Sequence, residues 1–195
     1  MTRCRPETGI LQYDYLPMYA TDQYVKKSDQ PLSAANVFTA DRDLEITAVS
    51  ARPCRENCHV DFTIVRMKEN AADPEDGETA ARISKDFPYA GFHRAEKEKP
   101  IPIKKGERFS VITTTTFTDE DGKSLWMYYA SSGAFGSNNR TVVHPGETFV
   151  KENGAWQDWT KVTKEEILDP EEDIRDDISD KVDNIGIKAY VRYSE

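Results

Sequence analysis

The feature that most constrains the fold is a period-two alternation of apolar and polar residues in several short segments. Val60, Phe62 and Ile64 alternate with polar neighbours, and Ile187 and Ala189 do the same near the end of the chain. Because successive side chains of a β-strand point to opposite faces, this alternation predicts strands with one buried face. No segment alternates strands with long helical patterns. The sequence therefore predicts an all-β fold, an antiparallel β-sandwich of the jelly-roll type.

Turn-forming residues separate the predicted strands. Asp73–Gly77, Lys104–Glu107 and Asp119–Gly122 each contain the Gly, Pro or Asp residues that tight turns favour. Asn153-Gly154 is the strongest short hairpin signal, since both residues tolerate a positive φ. These turns predict hairpin connections between neighbouring strands.

Charge narrows the possible partners. The chain has 195 residues, a formal net charge of −9 and a sequence pI of about 5.0. This balance argues against nucleic acid and anionic membranes as partners, and it is compatible with cations and neutral sugars. No apolar run is long enough to span a membrane, and residues 1–6 lack the apolar core of a signal peptide. The chain is then either cytosolic or a fragment whose targeting segment lies elsewhere.

The segment 163–183 is strongly acidic. Ile174, Ile178 and Val182 recur there at four-residue spacing, which predicts a short helix with a thin apolar stripe. The simplest interpretation is a solvated surface helix inserted into the sandwich. The alternative is a segment that binds a cation or a partner.

Three cysteines are present, Cys4, Cys54 and Cys58. In an oxidising compartment Cys54 and Cys58 would be close enough in sequence to form a small disulfide loop. A zinc site is disfavoured, since these two cysteines and His59 do not provide four ligands. Cys4 has no obvious partner.

Several short segments occur in an order that resembles one known family. They are Tyr13-Asp14-Tyr15, Ala35–Ala40, Pro88–His93, Lys104–Val111, Pro145–Phe149, Trp156-Gln157-Asp158 and Ile185–Tyr190. With these segments the chain resembles the lectin-like domain found beside papain-type (C1) cysteine peptidases in clostridial cell-wall and other secreted bacterial proteins.

The resemblance carries several expectations. It implies a jelly-roll-like sandwich over residues 13–195, with 1–12 as an N-terminal extension. It also implies a module of an exported, extracellular or cell-surface protein, with a peptidase domain as neighbour and a structural calcium ion. The chain itself is expected to be non-catalytic, because no segment resembles the papain nucleophile motif. This favours the fragment over the cytosolic interpretation.

Sugar sites combine an exposed aromatic ring with polar donors and acceptors. The candidates are Trp126, Tyr128, Trp159, Asn138 and Asn139. Trp159 is the less constrained of the two later tryptophans and its exposure stays open, whereas Trp156 is expected to be a packing residue. Any single aromatic residue is more often part of the core than a sugar platform. The expected ligand is a glycan or a cell-wall polysaccharide.

Calcium requires clustered oxygen ligands. Two local acidic clusters supply candidates, Asp41 with Asp43 and Asp119 with Asp121. The alternative for each cluster is a polar turn.

Two other functions stay open. One is a structural domain that docks on a neighbouring domain or protein and binds no sugar. The other is an uncharacterised hydrolase, although the three histidines, His59, His93 and His144, have no evident acid or base partner in the sequence.

Overall fold

The computed structural model of the chain describes residues 8–14, 21–133, 142–163, 166 and 182–194. Its strands are β1 Thr8–Leu11, β2 Thr21–Ser28, β3 Ser33–Thr39, β4 Leu44–Ala51, β5 Cys58–Met67, β6 Gly77–Phe87, β7 His93–Ile103, β8 Arg108–Thr118, β9 Ser124–Gly133, β10 Thr148–Glu152, β11 Ala155–Asp158 and β12 Lys188–Tyr193. A 3-10 turn, Trp159–Lys161, follows β11.

The strands form two antiparallel sheets. The smaller sheet has the order β1-β12-β4-β7, and the larger contains β11-β10-β3-β8-β5-β6 with β9 and β2 attached. Every strand pair is antiparallel. The predicted all-β antiparallel sandwich is therefore confirmed.

The larger sheet forks along one edge of β8. Residues 108–113 of β8 pair with β3, whereas residues 115–118 pair with β9. The opposite edge of β8 pairs continuously with β5 from 109 to 116. One branch of the sheet therefore contains β3, β10 and β11, and the other contains β9 and β2.

The main core lies between the two sheets. Phe62 and Phe109 of the larger sheet and Ile46 of the smaller sheet are almost fully buried in one cluster. The alternating residues Val60, Phe62 and Ile64 all belong to this core, as the sequence pattern predicts.

The Asn153-Gly154 hairpin is present as predicted. It joins β10 to β11, and both residues have positive φ, 51° and 81°. Glycine adopts such values without steric cost, and asparagine tolerates them better than most residues. The hairpin positions Trp156 and the following 3-10 turn against β10.

A buried polar network joins the two sheets. Asn36 of β3 donates through Nδ2 to the carbonyls of Ile185 (3.1 Å) and Ile187 (2.9 Å), just before β12. The Thr148 hydroxyl lies 2.7 Å from Asn36 Oδ1 and 2.8 Å from Asn184 Oδ1. Asn36 and Thr148 are fully buried. These bonds fix how the chain enters β12.

Residues 8–11, assigned above to an N-terminal extension, form β1 and pair with β12. The predicted helical insertion near 163–183 lies largely outside the described residues. In the part of the chain that the structure describes, no helix is long and apolar enough to cross a membrane.

Candidate functional site

The outer face of the larger sheet carries polar side chains at one end. In β5, Val60 and Phe62 point into the core, so the intervening His59, Asp61 and Thr63 lie on the opposite face. Side chains directly opposite in neighbouring strands share a face. The strand register therefore continues this polar surface into β8 and β6.

One cross-strand row is central to the site. It runs from Trp126 in β9 to Thr116 in β8, His59 in β5 and Asp86 in β6. A parallel row places Thr114, Asp61 and Ser84 side by side.

A pocket of about 400 Å³ opens at this end of the sheet. Six of its lining residues are polar, and we call this pocket the polar groove. They are Asn57, His59, Asp86, Thr116, Thr118 and Ser124. Cys58, Phe87, Pro88 and Phe117 complete the lining. The groove is open and rich in donors and acceptors, which suits a hydroxyl-bearing ligand.

His59 is held by two carboxylates. Its Nδ1 lies 2.7 Å from Asp86 Oδ1, and its Nε2 lies 3.4 Å from Asp61 Oδ1. The hydrogen bond to Asp86 is the largest influence and raises the pKa of His59, burial opposes it, and Asp61 adds to the rise. This context was missed by sequence reasoning, because Asp86 comes from a neighbouring strand and the same-face placement of Asp61 depends on β5 being a strand.

The same geometry bears on the hydrolase alternative. A catalytic base must keep one ring nitrogen available for the nucleophile. Both ring nitrogens of His59 face carboxylates, and the Ser84 hydroxyl donates to Asp61 rather than to the imidazole. His59 therefore links β5 to β6 through Asp86, and neither of its ring nitrogens is left free to act as a catalytic base.

We expect the pKa of His59 to lie above its ordinary value of about 6.5 and to fall in Asp86→Asn, because the neutral amide favours the imidazolium less. Folding stability from this group is then fully present below the unfolded-state pKa and is lost as pH rises through the raised folded-state pKa. NMR titration of the imidazole C–H signals measures both values. An unchanged pKa in Asp86→Asn would contradict the assignment.

Two aromatic residues flank the groove. Tyr89 follows the lining residue Pro88, and its side chain is 72% exposed. Trp126 is half-buried and lies across the strand pair from Thr116. Tyr89 was not among the predicted sugar-binding residues, since Pro88–His93 was used only as a segment of the family resemblance. Its position in a Pro-Tyr-Ala-Gly turn, where a side chain has little to pack against, was the available signal.

The other predicted aromatic residues are not on the surface. Trp159, whose exposure the sequence left open, is 4% exposed and offers no surface platform; its indole N–H donates to the Asp183 carbonyl at 3.1 Å. Tyr128 is also 4% exposed, meets Trp159 edge to face, and donates to Glu152. Both pack in the main core because the 3-10 turn folds Trp159 inward against β9 and β10. Asn138 and Asn139 lie outside the described residues.

The aspartates predicted as calcium ligands instead make hydrogen bonds or ion pairs within or beside turns. Asp43 accepts from Lys104 Nζ and the Lys105 N–H, and the hydrogen bond from Lys104 is the main cause that lowers its pKa. Asp119 accepts the backbone N–H groups of Asp121 and Lys123. Asp41 pairs with Arg42.

Among the described residues, no group of three or more His, Cys, Asp or Glu side chains has a metal-binding arrangement. Calcium therefore stays a prediction, and these four aspartates are not brought together.

Cys54 and Cys58 are separate thiols in the structure rather than the disulfide considered above. Burial raises the pKa of Cys54 to about 11, with Cys58 adding to the rise, and burial also raises the pKa of Cys58. The Cys58 thiol donates to the Arg55 carbonyl at 3.2 Å. Both groups are protonated at neutral pH and are poor nucleophiles.

The two antiparallel sheets define a domain of the β-sandwich class, with the polar groove at one end of the larger sheet. A model of the family described as "Lectin like domain" matches residues 10–168. The chain belongs to this lectin-like domain family. No curated protein matches the chain.

Two solved structures share the fold. One is a variant of the clostridial cysteine protease Cwp84 after propeptide cleavage, with TM-score 0.60, 16% identity, and coverage of 91% of this chain and 41% of that chain. The other contains the cysteine protease and lectin-like domains of Cwp84, a surface layer associated protein of Clostridium difficile. It has TM-score 0.55, 17% identity, and coverage of 91% and 37%. The chain thus spans about two fifths of the length of these solved chains.

Proposed function

We propose that this chain is a non-catalytic carbohydrate-binding module that binds a neutral glycan in the polar groove. The observation that carries the proposal is the convergence of six polar lining residues in one groove, with the exposed Tyr89 following the lining residue Pro88 in the chain. Sugars present hydroxyl groups for hydrogen bonds and an apolar ring face for an aromatic platform. The carboxylates of Asp61 and Asp86 both lie within hydrogen-bond distance of the His59 ring, and their remaining lone pairs can accept hydrogen bonds from sugar hydroxyl groups.

We further propose that the module belongs to an exported protein and accompanies a cysteine peptidase domain at the cell surface. The pairing of a lectin-like and a protease domain in Cwp84 supports this arrangement. In that setting the groove would hold the peptidase against cell-wall or host glycans. Two observations support a non-catalytic role for this chain. The thiols of Cys54 and Cys58 are buried with raised pKa values, and both ring nitrogens of His59 lie within hydrogen-bond distance of carboxylates.

The test is a glycan array of neutral cell-wall and mucin oligosaccharides, followed by calorimetry with the best-bound oligosaccharide. We expect Asp86→Asn and Tyr89→Ala each to weaken binding about tenfold, since a lost charged hydrogen bond costs about 1.5–3 kcal/mol and a lost aromatic contact about 1 kcal/mol or more.

Ile10→Ala is the matched control, because Ile10 is 53% exposed but lies in β1 of the other sheet. It should bind like the wild type. The proposal would be contradicted if no glycan on the array bound the protein, or if Ile10→Ala weakened glycan binding as much as the groove variants.

A further inference from the structure

A second cluster lies away from the polar groove, where the smaller sheet ends beside β9. Arg52 directly follows β4, and its guanidinium is held between two aromatic rings. Its Cζ lies 4.5 Å from the centre of the Tyr129 ring and 5.3 Å from that of Phe92. Stacking of this kind fixes the guanidinium plane while its N–H edge stays able to donate.

Arg52 differs from the other half-buried arginines. Of the four half-buried arginines that the structure describes, Arg66 and Arg108 each donate to a backbone carbonyl, and Arg192 pairs with a carboxylate. Within the same residues, Arg52 has two ring contacts and an electrostatic interaction with Asp14, but no hydrogen-bond acceptor. A partly desolvated guanidinium without an acceptor is costly, which marks it as a site for an anion.

Lys188 brings a second positive charge to the cluster. Its Nζ lies 4.2 Å from the centre of the Phe92 ring, 3.0 Å from Asp14 Oδ2 and 2.8 Å from Gln12 Oε1. Burial raises the pKa of Asp14, opposed by Lys188 and Arg52. With Asp14 ionised, the cluster of Arg52, Lys188 and Asp14 keeps one net positive charge on a protein whose net charge is −9.

In the described part of the chain, several buried polar atoms near Arg52 and Lys188 lack hydrogen-bond partners. Asp14 Oδ1, the Ser50 hydroxyl and the Tyr129 hydroxyl are buried and have no hydrogen-bond partner within the described residues. Ser50 lies beside Lys188 in the strand register. Next to Arg52 and Tyr129 is a cavity of about 20 Å³, room for one water molecule. The other oxygen of Asp14, Oδ2, positions Lys188.

An apolar surface completes the cluster. Phe92 is 37% exposed, and a methyl group at Gly186 would come within 3.1 Å of its ring. The glycine therefore lets the ring lie flat against the backbone before β12. A planar anion on Arg52, the positive charge of Lys188 beside it and an apolar face on Phe92 together fit an acidic sugar.

We propose that Arg52, Lys188, Asp14 and Phe92 form a second binding site, specific for a carboxylate-bearing sugar such as a uronic acid. Arg52 binds the carboxylate through two N–H groups, Lys188 adds charge, and Phe92 contacts the sugar ring. The site is separate from the polar groove and uses none of its lining residues.

The test is calorimetry of the full chain with a galacturonic acid oligomer and with the neutral galactose oligomer of equal length. We expect the acidic oligomer to bind at least about tenfold more tightly, because hydrogen bonds between charged partners are stronger than those between neutral groups. Arg52→Gln should abolish this preference. Arg52→Lys should lose most of it, since lysine keeps the charge but lacks the planar pair of donors.

Arg94→Gln is the matched control. Arg94 also stacks on an aromatic ring, Tyr190 at 4.3 Å, but its charge is already paired with Glu96. The Arg94 variant should keep the preference, and so should Tyr89→Ala, which weakens only the groove. Absence of a preference in the wild type, its survival in Arg52→Gln, or an equal loss in Arg94→Gln would overturn the proposal. Thermal melting of each variant shows whether a loss reflects unfolding.

Discussion

Replacing Asn36 by alanine is expected to lower the free energy of unfolding by roughly 3–5 kcal/mol, among the largest single-site effects in this fold. The substitution leaves the carbonyls of Ile185 and Ile187 without a donor and removes the Thr148 partner. Each buried polar group left unsatisfied costs about 1–3 kcal/mol. Urea unfolding followed by tryptophan fluorescence measures the change.

Ser33→Ala is the matched control for this prediction. Ser33 lies in the same strand, is only partly buried, and makes one side-chain hydrogen bond, to Thr114 at 2.7 Å. Its loss should be about 1 kcal/mol or less. A similarly small loss in Asn36→Ala would mean that the network does not join the sheets as described.

Replacing Trp159 by alanine is expected to cost about 3–5 kcal/mol, as for other large buried aromatic residues. The substitution removes a core side chain, its edge-to-face contact with Tyr128 at 5.9 Å, and its hydrogen bond to the Asp183 carbonyl. Trp159→Phe keeps most of the volume and should lose only about 1–2 kcal/mol. Urea unfolding followed by circular dichroism measures both, since the fluorescence itself changes.

Trp126→Ala is the matched control, because it removes the same type of side chain from a less buried position. Trp126 is half-buried, so its loss should be clearly smaller than that of Trp159. A Trp159→Ala protein with wild-type stability and reduced glycan binding would instead indicate an exposed platform. That result would contradict the structure.

The strands were accessible to sequence reasoning because their signals are local. The alternation of Val60, Phe62 and Ile64 and the positive φ values of Asn153 and Gly154 depend on neighbours in the chain. The same reasoning could not decide the burial of Trp159. Its burial depends on the 3-10 turn that follows β11 and on the carbonyl of Asp183, 24 positions later.

The candidate site was predicted poorly for the same physical reason. His59 and Asp86 are 27 positions apart and meet through the β5–β6 register. Arg52, Phe92 and Lys188 come from three separate parts of the chain. Such groups carry no local periodicity, so only the paired strands reveal them. Tyr89 is the exception, since its turn sequence indicates an exposed ring.

The loop from Pro88 to Phe92 has a consequence for avidity. Pro88 lines the polar groove, Phe92 belongs to the Arg52 cluster, and the Gly91 N–H donates to the Pro53 carbonyl at 2.9 Å. Two weak sites a fixed distance apart gain affinity for a polymer that can reach both, because the second contact becomes intramolecular. A mixed polysaccharide with neutral and acidic units would thus be retained far longer than either monosaccharide.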